Sequence, residues 1–217
     1  DDVFRRTLEN RDAMNAFHAT IEDFDSQGRR RADIEYVVDG NDWIMKHATT
    51  NDTIVTIFEW RKIGEDLFVL NADTGWFWKI SPSDTSLPAH VDPRDAIGDI
   101  KDGLHKKTLR VIRIGSEPCG DHLCWRYQLV DPSFAIVERY WFLDATDFRL
   151  IKDQFVIGNG ETSIATYDYE QEIGIEVPKQ ARDAPADADI MTLPGNVKNL
   201  LTPIPQKKLS LKNVLKK

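Results

Sequence analysis

From about residue 29 to residue 177 apolar side chains fall on every second position in one short segment after another, a period that only extended backbone turns into a continuous face. The segments are 29–38 (Ile34, Tyr36, Val38), 43–49 (Trp43, Met45), 53–60 (Ile54, Thr56, Phe58, Trp60), 66–71 and 76–80 (Trp76, Trp78, Ile80). Turn residues close them at Asp39-Gly40-Asn41, Thr50-Asn51-Asp52, Gly64-Glu65-Asp66 and Asp73-Thr74-Gly75. Alternation resumes at 107–115, 123–131, 135–143, 148–157, 162–170 and 172–177. Eleven strands spaced by short turns predict a mainly β protein built on one antiparallel sheet, not a series of β-α-β units. Two helices accompany the strands. Phe4, Leu8, Met14, Phe17, Ile21 and Phe24 recur at helical spacing and predict a helix from Val3 to Phe24, ended by Ser26-Gln27-Gly28. Asp92 followed by Pro93 reads as the cap and first residue of a short helix that ends near Gly103.

Several strands carry large apolar residues on both parities. In Gly75-Trp76-Phe77-Trp78-Lys79-Ile80 the two tryptophans oppose Phe77, and in 135–143 Val137, Trp141 and Leu143 oppose Ile136, Tyr140 and Phe142. Both faces therefore need cover, and two helices are little to supply it. Six Trp, ten Phe and five Tyr either fill an ordinary core under those helices or line a curved sheet that encloses a cavity for an apolar ligand. Chosen by parity, the residues expected to line such a cavity are Trp43, Met45, Phe58, Trp60, Trp76, Trp78, Trp125, Tyr140 and Phe142.

The order of these features resembles a known family. An N-terminal helix and a meander lead through Ile63-Gly64-Glu65-Asp66-Leu67-Phe68-Val69-Leu70-Asn71 to Gly75-Trp76-Phe77-Trp78-Lys79 and a short helix. A second meander contains Glu138-Arg139-Tyr140-Trp141-Phe142-Leu143-Asp144, Phe148-Arg149-Leu150-Ile151-Lys152, Thr166-Tyr167-Asp168-Tyr169 and Ile173-Gly174-Ile175-Glu176-Val177-Pro178. Over residues 1–178 this is similar to the LolA/LolB-like lipoprotein-carrier superfamily, which includes LppX/LprG-type lipid-binding lipoproteins. The resemblance implies an eleven-stranded half-barrel whose concave face is closed by helices and holds acyl chains. It implies no catalytic residues. The expected partner is a lipid or a lipidated protein, with a sensor or protein-docking module of the cell envelope as the alternative.

Charge divides the chain at about residue 178. Residues 179–217 hold 8 basic and 3 acidic side chains, whereas residues 1–178 hold 20 basic and 33 acidic ones. So acidic a body offers no phosphate-tracking surface, and nucleic acid is excluded as a partner. The basic extension, with Pro185, Pro194, Pro203 and Pro205, reads as a separate segment. Its last part, 197–217, interleaves six lysines with Leu, Val and Ile. That pattern suits a strap laid on the acidic body or, alternatively, a segment that meets anionic membrane.

Two cysteines stand in Pro118-Cys119-Gly120-Asp121-His122-Leu123-Cys124 between alternating segments. A hairpin loop at Gly120-Asp121 would set them on facing strands, and a disulfide between Cys119 and Cys124 is expected, with an exported, oxidising location. The start at Asp1 fits a processed leader. His122 between them raises a metal site as the rival, but neither a second C-x-x-C nor an H-x-x-x-H supplies the remaining ligands. There is no Gly-rich phosphate loop, no G-x-S-x-G and no H-E-x-x-H, so neither cofactor nor catalysis is expected.

Overall fold

The computed structural model describes residues 2–51, 54–87, 91–131, 138–185, 190, 193–195 and 198–201. In chain order the elements are α1 (Asp2–Glu9), a 3-10 turn (Arg11–Met14), β1 (Ala16–Phe24), β2 (Arg30–Asp39), β3 (Asp42–Asn51), β4 (Ile54–Ile63), β5 (Asp66–Leu70) and β6 (Phe77–Ile80). Then follow α2 (Pro93–His105), β7 (Arg110–Cys119), β8 (His122–Val130), β9 (Glu138–Asp144), β10 (Leu150–Val156), β11 (Thr162–Asp168), β12 (Ala181–Asp183) and β13 (Lys198–Leu201). All thirteen strands join one sheet in the order β12-β6-β5-β4-β3-β2-β1-β11-β10-β9-β8-β7, with β13 paired to β4 off that path. Every pairing is antiparallel except that of β12 with β6.

The architecture is consistent with the open half-barrel expected from the sequence, but thirteen strands stand among the described residues where eleven were expected: β1 takes the place of half a helix, β12 and β13 come from the extension, and one expected strand is missing. Residues 16–24 form a strand, not the second half of a helix. Phe17, Ala19 and Ile21 are buried in alternation, and this period of two wins because β1 lies between β2 and β11 and is hydrogen-bonded on both edges. Helix α1 stops at Glu9, since an eight-residue helix gains most from its tertiary contact, here Phe4 against Tyr127 and Trp141 at 5.2 and 5.9 Å. The strand expected at 172–177 does not form, and the first residues of the 135–143 segment lie outside the described residues.

One face of the sheet, the inner face, carries the main core. A single cluster joins Phe17 and Ile21 of β1, Tyr36 and Val38 of β2, Trp43 and Met45 of β3, and Leu67 and Val69 of β5. It continues through Tyr127 and Leu129 of β8, Trp141 and Leu143 of β9, and Ala165 and Tyr167 of β11, with Phe4 of α1 and Ala96, Ile97 and Ile100 of α2. Residues from both wings share this core with both helices. Asp92 caps α2 by accepting from Arg94 N at 2.8 Å. The Arg94 guanidinium then binds Asp92, Asn15 Oδ1 and the Gly40 carbonyl, tying the start of α2 to the ends of β1 and β2.

The extension beyond residue 178 is threaded into the same sheet where it is described. Arg61 donates to the Glu176 carbonyl, Phe77 N to Gln180 O and Ala184 N to Lys79 O, so the chain passes Arg61 on the outer face before adding β12 at the β6 edge. It then turns inward: Leu193 is buried in the main core, and the Pro194 carbonyl accepts from both Trp78 Nε1 and Asn71 Nδ2 at 3.0 Å. Gly195 has φ +70, and a Cβ there would stand 2.3 Å from Asn71 Oδ1, so only glycine fits. Of the segment 197–217, where a strap or a membrane-facing segment was expected, Lys198–Leu201 is described and pairs with β4 as β13, and 197 and 202–217 lie outside the described residues.

The expected disulfide between Cys119 and Cys124 is absent, and both are free thiols. The β7–β8 register sets Cys119 opposite His122 and Glu117 opposite Cys124, which makes the cysteines diagonal neighbours rather than a facing pair. The argument for export drawn from that bond falls with it. Burial pushes both thiols above the ordinary range, Cys124 the more strongly. Alkylation of the unfolded, unreduced protein is therefore expected to label both cysteines. In the native protein Cys119 reacts ahead of buried Cys124, and intact-mass spectrometry checks the order; an unlabelled unfolded chain would restore the disulfide.

Asp25 organises the β1–β2 turn. Burial works against its ionised form, but it accepts from Arg29 N at 2.8 Å, Arg29 Nε at 2.7 Å and Gln27 N at 2.9 Å, and these bonds carry its pKa down to about 2. The folded value lies below the unfolded one of about 3.9, so the stability is complete above that pH and is lost as pH falls toward 2. Asp25→Asn is expected to flatten the acid limb between about pH 4 and 2, read as the change in urea midpoint against pH beside the parent protein.

Candidate functional site

Two inner-face rows form the floor of a cavity. The first runs Tyr127–Trp141–Asp153–Ala165–Ile21 across β8, β9, β10, β11 and β1, and the second runs Leu129–Arg139–Phe155–Ser163–Asp23 across the same strands. In the first row Tyr127 and Trp141 are covered by Phe4 of α1. Toward the second row α1 has ended, and α2 offers Ile100 and Gly103 in place of a bulky layer. On β11 the inner residues here are only Ser163 and Ala165. Small side chains below and a glycine above leave a cavity of about 670 Å³, bounded also by Ile21, Leu109, Leu129, Phe155 and Ile157.

The wall is apolar apart from Ser163 and three ionisable groups, Asp99, Asp131 and Arg139. Arg139 donates from Nε and Nη2 to the two carboxylate oxygens of Asp153 at 3.0 and 2.6 Å. Asp153 is only 1% exposed and stands opposite Trp141 in the first of the two rows. Arg139 Cζ stands 4.4 Å from the Phe155 ring centre and 5.4 Å from that of Trp141. A cation thus reaches the cavity wall with its charge neutralised by a bidentate partner and aromatic rings within cation–π distance.

None of the nine residues expected to line a cavity borders this one. Trp43 and Met45 are buried in the main core, and Phe58, Trp60, Trp78 and Trp125 pack half-buried against it. Trp76 stands against Trp78 at 4.4 Å, with the Arg182 guanidinium 4.8 Å from its ring centre. Tyr140 and Phe142 lie on the outer face instead, Phe142 in a small cluster with Cys124 and Ile151 and beneath Lys152 and Arg126. The large rings fill the sheet where the helices press on it. The cavity opens where the inner residues are small, and the signal for it was Ser163 and Ala165 alternating along β11.

A second, more polar depression of about 710 Å³ lies near the β7–β8 turn, bordered by Cys119, His122, Lys152, Asp168 and Gln171. His122 Nδ1 is 2.6 Å from Asp144 Oδ2, and Asp144, although burial opposes it, is held below the usual carboxylate range by backbone N–H of Asp147 and Thr146 and by His122. Among the described residues no group of three or more His, Cys, Asp and Glu is placed to hold a metal ion. Among them, too, no helix is long and apolar enough to cross a membrane.

No family profile matches this sequence, and no curated protein does. Solved structures similar to it are of low identity. The chain is similar to the MucA/MucB complex of Pseudomonas aeruginosa at 9% identity and a TM-score of 0.43, covering 95% of this chain and 60% of that one. Against MucB alone the figures are 12%, 0.41, 76% and 56%. A LolA superfamily protein of Nitrosomonas europaea gives 13% and 0.28, over 88% of this chain and 96% of that one. The chain thus spans no more than 60% of the MucB structures it matches. With TM-scores no higher than 0.43, function rests on the site itself.

The Arg139–Asp153 pair gives the site its first test. Asp153→Ala leaves a guanidinium in an apolar wall without its anion and is expected to cost about 3 kcal/mol, a fall of roughly 6–12 °C in Tm. Replacing both, as Arg139→Met with Asp153→Leu, is expected to recover most of that loss, measured by thermal unfolding of the two variants side by side.

Proposed function

We propose that the chain is a non-enzymatic carrier of the cell envelope that holds acyl chains of a lipid or a lipidated protein in the cavity beneath α2. The single observation that carries this reading is a ligand-sized volume with a mainly apolar wall, formed where a sheet otherwise packed with aromatic rings turns to small residues on β11. Binding here needs no polar chemistry. Each methylene buried contributes about 0.8 kcal/mol, so about a dozen contribute roughly 10 kcal/mol before the entropy of immobilisation is subtracted. Passive burial of this kind leaves the ligand unaltered, as a carrier requires.

A second reading, a protein-docking module, is favoured by one feature. Strand β7 ends the sheet, its outer edge is unpaired among the described strands, and Ile112 and Ile114 on it are 41% and 51% exposed. Such an edge accepts an extended peptide as one more strand. The bulge at Arg113/Gly115 and the proline at 118 shorten the straight run available to it.

The readings separate in a chain-length series. For a homologous set of neutral monoacylglycerols, affinity for the cavity is expected to rise about fourfold per methylene and to level off once the chain exceeds the space. Ser163→Trp, which places a large ring in the cavity, is expected to lower that affinity at least about tenfold with Tm nearly unchanged. Titration calorimetry reads both quantities; affinity independent of chain length, or unaffected by the tryptophan, would remove the carrier reading and leave the docking one.

A further inference from the structure

The size of the cavity limits what it can hold. Its floor is shut at the inner end, where Leu143, Leu150, Tyr167 and Ala19, one row further along the same strands, belong to the main core. Phe4 covers Tyr127 and Trp141 beside them. The roof is closed as well. Ile100 of α2 is buried, and a Cβ on Gly103 would stand 3.1 Å from Leu109 Cβ, so the chain after the helix lies directly against its last turn. Thr108 N holds it there by donating to the Gly103 carbonyl at 2.9 Å. The open end lies at Ile157, which is 43% exposed.

Length and volume together give the capacity. Along β10 and the residue after it, Ile157 follows Asp153 by four residues, or about 13 Å at the rise of an extended strand. A stretched acyl chain advances roughly 1.2 Å per bond, as an extended backbone does, so about ten carbons reach from the inner end to the mouth. Leu129 on β8 and Ile21 on β1 are four strand spacings apart, about 19 Å, which lets more than one such length lie side by side. Volume fixes how many. If a methylene takes roughly the 30 Å³ that a water molecule takes in the liquid, 670 Å³ holds about twenty, or two lengths of ten. Carbons beyond that number pass Ile157 into water and gain nothing there, whereas a bilayer would bury every one of them.

We infer that the cargo of this cavity is a single-chain lipid, or a diacyl lipid with short chains, and not an anchor that carries several long chains. This rests on the acyl-binding reading above and narrows its ligand class, from a lipid or a lipidated protein to a lipid whose chains sum to about twenty carbons.

The test holds the head group constant and varies the number and length of the chains. Phosphatidylcholines with one hexadecanoyl chain, or with two octanoyl, decanoyl, dodecanoyl or hexadecanoyl chains, are offered to the full chain. The soluble ones are given below their aggregation concentrations and the dihexadecanoyl lipid as vesicles. Displacement of the fluorescent probe N-phenyl-1-naphthylamine reads affinity, and native mass spectrometry counts the lipids retained. Affinity is expected to rise about fourfold per methylene from the dioctanoyl to the didecanoyl lipid and to level off after it. The monohexadecanoyl lipid is expected to be retained one per chain, and the dihexadecanoyl lipid to stay in its vesicles. The double variant Ile100→Ala with Leu109→Ala, which lowers the roof side chains to methyls, is expected to move the plateau to the didodecanoyl lipid; if it does not fold, the series on the parent protein decides. Affinity that still climbs past the didodecanoyl lipid, dihexadecanoyl lipid drawn from vesicles as readily as the monohexadecanoyl lipid is bound, or a plateau unmoved in a folded variant overturns the capacity inference while the cavity reading stands. Failure of every lipid in the series to bind overturns the cavity reading and this inference with it.

Discussion

The fold depends on α2 being held across the inner face of the sheet. Strands that carry Tyr36, Trp43, Leu67, Val69, Tyr127 and Trp141 on one side cannot leave that side wet, and Ala96, Ile97 and Ile100 of the helix meet them there. The helix is fixed at its start, where Asp92 caps it and Arg94 reaches Asn15 and Gly40 on the β1 and β2 ends. Among the described residues its far end shows no comparable set of bonds to the strands. Its last turns, with Ile100 and Gly103, instead roof the space above Ser163 and Ala165. A helix anchored at one end and packed at the other over small residues leaves a cavity at the second end.

The cost of that arrangement is visible in Arg139 and Asp153. Two ionised groups in an apolar wall gain little net stability, because the desolvation of both charges offsets most of their attraction. What the pair does is set the character of the wall. The guanidinium stands close over the Phe155 and Trp141 rings, and its positive charge is neutralised by a carboxylate that is itself shut away from water.

The outer face is managed differently in its two wings. On the β3–β6 wing, Ile44, Ala48, Ile57, Phe68 and Phe77 are buried, and the chain after β11 runs past Arg61 to become β12 before Leu193 re-enters the core. One edge of the sheet is thereby covered by the chain's own extension. On the β8–β10 wing the outer apolar residues are few, chiefly Cys124, Phe142 and Ile151, and cationic side chains cap them. The β7 edge beside that wing stays open, with a bulge and a proline in place of a covering strand.

The alternation of residues in β2 to β11, the turns between them and the Asp92-Pro93 start of α2 were legible in the sequence, because each rests on backbone periodicity or capping that neighbours in sequence suffice to specify. The segment 16–24 was not. Its apolar residues satisfy a period of 3.5 as well as a period of two, and only hydrogen bonding to β2 and β11 on either side chooses the strand. The diagonal placement of Cys119 and Cys124 depends likewise on the β7–β8 register, which a hairpin of unspecified offset leaves open. An apolar cavity was legible as a need, since both parities called for cover, but its position was not. Large aromatic residues mark most of the filled core, and that Ser163 and Ala165 of β11 come to lie by Ile100 and Gly103 of α2 is fixed only by tertiary packing.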